Sequence, residues 1–173
     1  MLSAIVLAPP GAGEDASKAP ESIVRSLAVL VGAAVADLVR DAVIAGPAGV
    51  RLDRIADHAG CGLVEDDAPD RALGAALAMA RCDHVLVLQG GYAPGLGFID
   101  EATDWLAMRG RHDAAALRAE PENLAQRLLP TLAPAAGVLA RRSDCLALSA
   151  SDLPGIARKL RARTLRSRAR RLV

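Results

Sequence analysis

Hydrophobic positions in the first half of the chain follow two alternating patterns. Short apolar runs are typical of buried strands, and the segments between them place apolar residues at helical spacing. The predicted strands cover residues 2–7, 42–45, 62–64 and 85–88, and the predicted helices cover residues 23–38, 52–59, 73–80 and 98–106. Pro20 is placed near the start of the first helix, Gly46-Pro47 closes the second strand, and Gly60 ends the second helix.

This alternation indicates a fold class. Strands separated by helical segments are joined by right-handed crossovers and pair in parallel. We therefore predict a three-layer α/β fold with a mostly parallel sheet and helices on both faces. Phe98 and Trp105 share a helix face, which we expect to pack on the sheet. Beyond residue 110 the pattern weakens, and it predicts strands at 114–117 and 145–148 with helices near 123–129 and from Asp152 onward.

Composition indicates one domain with a core of small residues. Hydrophobic residues make up 52% of the 173 positions and aromatic residues only 2%.

No apolar run reaches the roughly 18 residues of a membrane span, and the first residues lack the basic segment of a signal peptide. The three cysteines form no Cys-x-x-Cys pair, which favours a reducing cytoplasm over a disulfide framework or zinc site. Arginine greatly outnumbers lysine, as in GC-rich bacterial genomes, so we predict a bacterial cytoplasmic location, with peripheral contact at the inner membrane face as an alternative.

The net charge of +1 conceals an uneven distribution. Eight of the 21 basic residues fall in the last sixteen positions, so residues 1–157 hold 13 basic against 20 acidic residues. We expect a single α/β domain over residues 1–157 and a basic tail or helix extension over residues 158–173. A basic helix of this kind is typical of contact with an anionic membrane surface or a protein partner. Nucleic acid is disfavoured because no aromatic residue is interleaved to stack on bases. The oligomeric state is left open.

The residues that follow the predicted strands include few of the carboxylates that usually hold a metal ion or a metal-bound phosphate in an enzyme of this fold class. Ligands of parallel α/β sheets bind outside the carboxyl ends of the strands. Pro9 follows the first strand, Gly46 the second and Gln89-Gly90-Gly91-Tyr92 the fourth. Tyr92 is placed either to stack on a base or to pack against the core.

Acidic residues follow only the third predicted strand. They are Glu65, Asp66, Asp67 and Asp70. They form either a metal cluster or a charged turn at the start of a helix, and we favour the turn because acids stabilise helix N-termini.

Several segments resemble family 2 glycosyltransferases of the short bacterial kind. Residues 38–46 resemble their second strand, residues 55–61 the helix end and turn that follow, residues 76–88 the approach to a D-x-D metal motif, and residues 97–101 the next helix. The resemblance implies the GT-A-like nucleotide-diphospho-sugar transferase fold and a nucleotide-diphospho-sugar as donor. It implies that the ligand-contacting positions are Pro9, Gly46, Gln89, Gly90, Gly91 and Tyr92.

The chain differs from that family at the positions where the family has its nucleotide-contacting and metal-binding carboxylates. Gly46 stands in place of an aspartate, and Gln89-Gly90-Gly91 stands in place of D-x-D. An amide and two glycines supply no charge to Mg²⁺ or Mn²⁺, so we predict no metal site there. The candidates for the family's later acidic base are Asp144 and Asp152, and Asp100 is a further candidate catalytic residue.

A second resemblance concerns the first loop. Residues 7–13, followed by Lys18, resemble the glycine-rich loop of molybdenum-cofactor-type nucleotidyltransferases. In such a loop backbone N–H groups bind phosphates and the lysine neutralises their charge. Pro9-Pro10 stands where that family has paired glycines, so a surface loop with a solvated Lys18 is the alternative. Three functions remain open: a divergent glycosyltransferase-like protein, a non-catalytic partner-binding descendant of the fold, and a nucleotidyltransferase.

Overall fold

The computed structural model describes residues 1–9, 14–48, 51–108, 114–129, 132–148 and 152–172, and for residues 14–18 the backbone alone. Within these ranges the strands are β1 (Leu2–Leu7), β2 (Val39–Gly46), β3 (Gly62–Glu65), β4 (His84–Gln89), β5 (Tyr92–Pro94), β6 (Ala115–Ala119), β7 (Ala135–Arg141) and β8 (Arg163–Arg171). The helices are α1 (Glu14–Val35), α2 (Leu52–Ala59), α3 (Pro69–Met79), α4 (Phe98–Ala107), α5 (Leu124–Leu128), α6 (Arg142–Leu146) and α7 (Leu153–Lys159).

All eight strands form one sheet in the order β3-β2-β1-β4-β7-β6-β8-β5. β1 pairs in parallel with β2 and β4, and β2 pairs in parallel with β3. β7 runs antiparallel to both β4 and β6, β8 runs parallel to β6, and β5 runs antiparallel to β8. Because two antiparallel steps restore the direction, β6 and β8 end at the same edge of the sheet as β1 to β4. We call this edge the carboxyl edge.

Helices cover both faces of the sheet, and each face has its own core. One core includes Ile23 of α1, Leu52 of α2 and both Phe98 and Trp105 of α4, so we call this side the α1 face. The opposite core includes residues of α3 and α6 together with Ile156 of α7, and we call that side the α7 face. The three-layer α/β prediction is therefore confirmed, as is the packing of Phe98 and Trp105 on the sheet.

A buried serine joins three elements at the start of β1. Ser3 is fully buried, and its hydroxyl donates a hydrogen bond of 2.6 Å to Oδ1 of Asp41 in β2. Oγ of Ser3 also accepts hydrogen bonds from the backbone N–H groups of Arg81 at 3.1 Å and Cys82 at 2.9 Å. Ser3 thereby ties the connection between α3 and β4 to the two neighbouring strands.

Strand β8 contains a bulge that α4 holds in place. Between two successive register pairs, β8 has two more residues than β6. Glu101, in the first turn of α4, accepts hydrogen bonds from the backbone N–H groups of Arg166 at 2.8 Å and Ser167 at 2.9 Å, and from the Ser167 hydroxyl at 2.6 Å. Burial acts to raise the pKa of Glu101, but these hydrogen bonds outweigh it and hold the pKa below its ordinary value.

The second half of the chain corrects several predictions. The expected strand at 145–148 is wrong, because Arg142–Leu146 is helix α6 and the strand is β7. The helix expected across the basic segment is wrong for Arg163–Arg171, whose backbone pairs with β6 and β5 and forms β8. The domain boundary at residue 157 stays a prediction. The strand and helix expected at 114–117 and 123–129 are confirmed as β6 and α5.

Within the part of the chain that the structure describes, no helix is both long enough and apolar enough to cross a bilayer.

Candidate functional site

A cavity of about 430 Å³ opens at the carboxyl edge of the sheet, on the α7 face. The ends of β1, β2 and β4 meet there with the starts of α3 and α7. Its lining is Leu7, Ala8, Pro9, Ala45, Gly46, Pro47, Asp66, Asp67, Pro69, Ala72, Gln89 and Asp152. An apolar wall with a few polar groups, placed where parallel strands end, is the usual form of a ligand site in α/β proteins.

Gly46 lets the end of β2 approach the residue that follows β1. A Cβ atom at Gly46 would lie 2.6 Å from the Cβ of Ala8 and 3.0 Å from Cδ1 of Leu52. Real Cβ atoms do not approach so closely, so any larger residue displaces this wall of the cavity. The position that replaces the family's aspartate therefore shapes the cavity rather than supplying charge to it.

The carboxylate of Asp66 accepts hydrogen bonds from other groups of the protein. Its two carboxylate oxygens accept hydrogen bonds from Arg71, Nη2 to Oδ1 at 2.8 Å and Nε to Oδ2 at 2.9 Å, and Oδ1 also accepts from the Ala68 backbone. The hydrogen bond from Arg71, followed by that from Ala68, lowers the pKa of Asp66. This carboxylate is held ionised and aligned at the start of α3.

Asp67 and Asp152 are the two exposed carboxylates of the cavity. Oδ1 of Asp67 accepts a hydrogen bond from the backbone N–H of Ala48 at 3.3 Å. Oδ1 of Asp152 caps α7 by accepting from the N–H of Gly155 at 2.8 Å. Each aspartate thus fixes its position through one oxygen. The second oxygen of each can accept hydrogen bonds from N–H or O–H groups of a ligand.

Gln89-Gly90-Gly91 locks the end of β4 onto its neighbours. Nε2 of Gln89 donates to the backbone oxygens of Leu7 at 3.3 Å and Ala8 at 3.0 Å. The N–H of Gly90 donates to the Leu7 oxygen at 2.7 Å, and a Cβ at Gly90 would lie 2.8 Å from that oxygen. The glycines here permit a close backbone approach, and Gln89 retains its Oε1 acceptor.

A divalent metal ion does not fit the described residues of this edge. Asp66 is paired with Arg71, and Gly90 and Gly91 offer no side chain. Across the described ranges, no three His, Cys, Asp or Glu side chains are placed to hold a metal ion together. Glu65, Asp66, Asp67 and Asp70 do not form such a group in the described structure, and the absence of a metal site at this edge stays a prediction.

The sequence-predicted residues are only partly brought together. Pro9, Gly46 and Gln89 line the cavity, with Asp152 opposite them. Gly91 donates its N–H to the Ser26 hydroxyl of α1, and Tyr92 lies in β5 against the core of the α1 face. Residues 10–13 and the side chain of Lys18 lie outside the described part of the structure.

The two weaker acidic candidates lie elsewhere. Asp100 is exposed in the first turn of α4 and does not line the cavity. Asp144 lies in α6, which follows the end of β7. Arg141 there pairs with His84 at the start of β4, so Asp144 is at the opposite edge of the sheet.

Sequence reasoning did not place Asp67 among the residues that line the cavity. It treated this residue as a metal ligand or a helix-start acid. The signal that identifies it is its position directly after β3, the strand beside β2, because that places it at the same edge as Gly46.

A larger cavity of about 670 Å³ lies on the α1 face. It is an apolar groove between α1, α2 and the first half of β2, with Leu27, Val31, Ile55 and Cys61 in its lining. This groove lies away from the carboxyl ends of the parallel strands. The rule that places ligands at those strand ends therefore does not predict a site in it.

Comparisons with known proteins identify the fold. No protein-family model and no curated protein sequence matches the chain. Among solved structures, HddC from Yersinia pseudotuberculosis, complexed with GMP-PN, matches at a TM-score of 0.61 and 11% identity, over 98% of this chain and 92% of HddC. Glucosyl-3-phosphoglycerate synthase from Mycobacterium tuberculosis, in complex with Mn²⁺, UDP and phosphoglyceric acid, matches at 0.54 and 18%, over 82% of this chain and 56% of the synthase.

These similarities confirm the predicted fold class, an α/β fold of the GT-A-like kind. At these identities they define the fold alone. This chain spans little more than half the length of the mycobacterial synthase.

Proposed function

We propose that the cavity at the carboxyl edge binds the nucleoside part of a nucleotide-diphospho-sugar, and that the protein is a divergent glycosyltransferase-like transferase. The observation that supports this most is the position of the cavity at the ends of β1, β2 and β4 in a fold of this class.

The lining suits a nucleoside. Proline and alanine side chains give the cavity apolar lining against which a base can pack. Asp67 and Asp152 supply carboxylate oxygens at the rim. These oxygens accept hydrogen bonds from the N–H groups of a base or the hydroxyls of a ribose.

The proposal does not include a metal-dependent step. The residues at the end of β4 supply backbone packing and one amide oxygen, which does not neutralise a diphosphate. Charge on the leaving group must then be met by other cations of the chain.

Nucleotidyl transfer is the second candidate function. It is favoured by the match to HddC over almost the whole length of both chains, in a complex that contains GMP-PN. It is also favoured by the resemblance of residues 7–13 and Lys18 to a phosphate-binding loop. On this hypothesis, replacing Lys18 with alanine weakens triphosphate binding strongly and leaves nucleoside binding unchanged.

Calorimetric titration with UDP-, GDP- and CDP-sugars and with GTP and CTP, each with and without Mn²⁺, tests the proposal. We expect saturable binding of at least one nucleotide-sugar with or without Mn²⁺. Asp67→Asn should weaken it about tenfold, because a carboxylate that accepts a ligand hydrogen bond becomes a neutral amide.

Asp70→Asn is the matched control. Asp70 also lies at the start of α3, is exposed and does not line the cavity. Equal losses in the two variants would assign the effect to general charge and contradict the proposed site. A folded protein that binds none of the nucleotides would favour the non-catalytic, partner-binding alternative.

A further inference from the structure

Two arginines stand side by side at the carboxyl edge. Arg118 in β6 and Arg168 in β8 are register partners in a parallel pair of strands. Neighbouring strands lie about 4.8 Å apart, so the two side chains leave the sheet from adjacent positions. Both strands end at the same edge as β4, where the cavity opens.

Both arginines lie on the α7 face. Leu117 and Ala119, which flank Arg118, belong to the core of the α1 face, so Arg118 is directed to the opposite face. Ala169, which follows Arg168, belongs to that same α1-face core. The cavity lies on the α7 face as well, two to three strands away, which corresponds to roughly 10 to 15 Å.

The hydrogen bonding of Arg168 is incomplete. Nη1 of Arg118 donates to the backbone oxygen of Ala133 at 2.9 Å, which holds its guanidinium at the sheet edge. Nη1 of Arg168 is buried, and within the described residues it has no hydrogen-bond partner. A buried N–H of a charged group without an acceptor is costly, and two adjacent guanidiniums also repel each other.

Some other arginines of the described chain are paired with carboxylates. Arg71 pairs with Asp66, and Arg171 with Glu122, which follows β6. No such carboxylate stands by Arg168 among the described residues. What Nη1 of Arg168 lacks within the described residues is a hydrogen-bond acceptor.

We propose that Arg118 and Arg168 form a phosphate-binding site at the ends of β6 and β8. The planar guanidinium of an arginine carries N–H donors that match the oxygens of a phosphate group, and here two arginines extend from one face of the sheet. A bound phosphate would accept from the buried Nη1 of Arg168 and offset the repulsion between the two cations.

The phosphate has two sources. It belongs either to the diphosphate of the nucleotide in the cavity or to a separate phosphorylated molecule. The first source rests on the proposed function, whereas the phosphate site itself does not.

The test compares inorganic phosphate binding by the full chain and by Arg168→Met. Methionine preserves much of the side-chain length but removes the guanidinium. In phosphate-free buffer we expect Arg168→Met to melt no lower than the parent protein, because a buried cation without an anion is removed. The variant should bind inorganic phosphate and pyrophosphate about ten- to a hundredfold more weakly.

Arg163→Met is the matched control. It removes the same charge from an exposed position at the other end of β8. Equal phosphate affinity in all three proteins would overturn the proposal. So would a marked loss of folding in Arg168→Met without phosphate, since that result would make Arg168 a structural residue.

Two further titrations separate the sources. Competition between UDP and phosphate, with UDP binding weakened by Arg168→Met, would assign the site to the nucleotide's own diphosphate. Simultaneous binding of UDP and phosphate would assign it to a separate phosphorylated molecule. Uridine has no phosphate, so its binding reports on the cavity alone, and failure of the cavity is distinguished from failure of the arginine pair.

Discussion

Replacement of Glu101 tests whether α4 holds the arginine-rich strand in place. The Glu101 carboxylate accepts two backbone hydrogen bonds and one hydroxyl hydrogen bond from the bulge of β8. At about 1 kcal/mol for each net hydrogen bond, Glu101→Ala should lower the free energy of unfolding by about 3 kcal/mol. Glu101→Gln retains one acceptor oxygen and should lose about half of that.

The dependence on pH gives the sharper readout. The pKa of Glu101 is lowered in the folded protein, so its ionised form contributes stability that is complete above the unfolded-state pKa of about 4.3. That contribution is lost as the pH falls through the folded-state value. The stability difference between parent and Glu101→Gln should therefore be constant near neutral pH and shrink in acid.

Urea unfolding at a series of pH values from neutral to acidic measures this difference. Asp100→Asn is the control, because it removes an acid from the same first turn of α4 and reports the helix-dipole contribution alone. A difference for Glu101→Gln that does not change with pH, or that equals the Asp100→Asn difference, would refute the reasoning.

Three further predictions concern the packing of the site and its surroundings. Gly90→Ala places a Cβ 2.8 Å from the backbone oxygen of Leu7, so it should cost about 1 to 3 kcal/mol in urea unfolding and weaken nucleotide binding, whereas an unchanged Kd would contradict this. Ser3→Ala removes the acceptor of the Cys82 N–H and the donor to Oδ1 of Asp41, while the Arg81 N–H keeps Oδ2 of Asp41 at 3.3 Å, so it should cost about 1 to 2 kcal/mol by the same assay; a cost near zero would contradict the role of that hydroxyl. Burial, with a smaller contribution from Asp144, raises the pKa of Cys145 to about 12, so a thiol reagent at pH 8 should label only the other two cysteines of the native protein; rapid labelling of Cys145 would contradict its burial.

The parallel half of the fold could be predicted from the sequence for a clear reason. β1 to β4 are short apolar runs separated by helical periodicity, and both faces of a central parallel strand are buried. The two patterns therefore differ strongly enough to be read without a structure.

The antiparallel half could not be predicted in the same way. β7 begins Ala135-Ala136-Gly137, and small residues show neither a helical nor a strand period. In β8 the buried positions are Leu165 and Ala169, four residues apart, because the bulge interrupts the alternation. That spacing is also typical of a helix, which explains the wrong prediction.

The residues of the candidate site also differ in how well the sequence predicts their position. Gly46 and Gln89 follow apolar strands, so the rule for strand ends places them at the carboxyl edge. Asp152 reaches the cavity only because α7 packs across the α7 face, and Arg118 meets Arg168 only through the β6–β8 pairing. Contacts between residues so far apart in sequence depend on topology, which local patterns do not determine.

Hydrogen–deuterium exchange with and without saturating UDP-glucose, and with and without GDP, tests the central claim most directly, since it locates the bound nucleotide. We predict slower exchange in the backbone that follows β1, β2 and β3, including Ala8, Gly46 and Asp67, for at least one ligand. Unchanged exchange in these segments with both ligands, or protection confined to the apolar groove between α1 and α2, would contradict the assignment of the nucleotide site to the carboxyl edge.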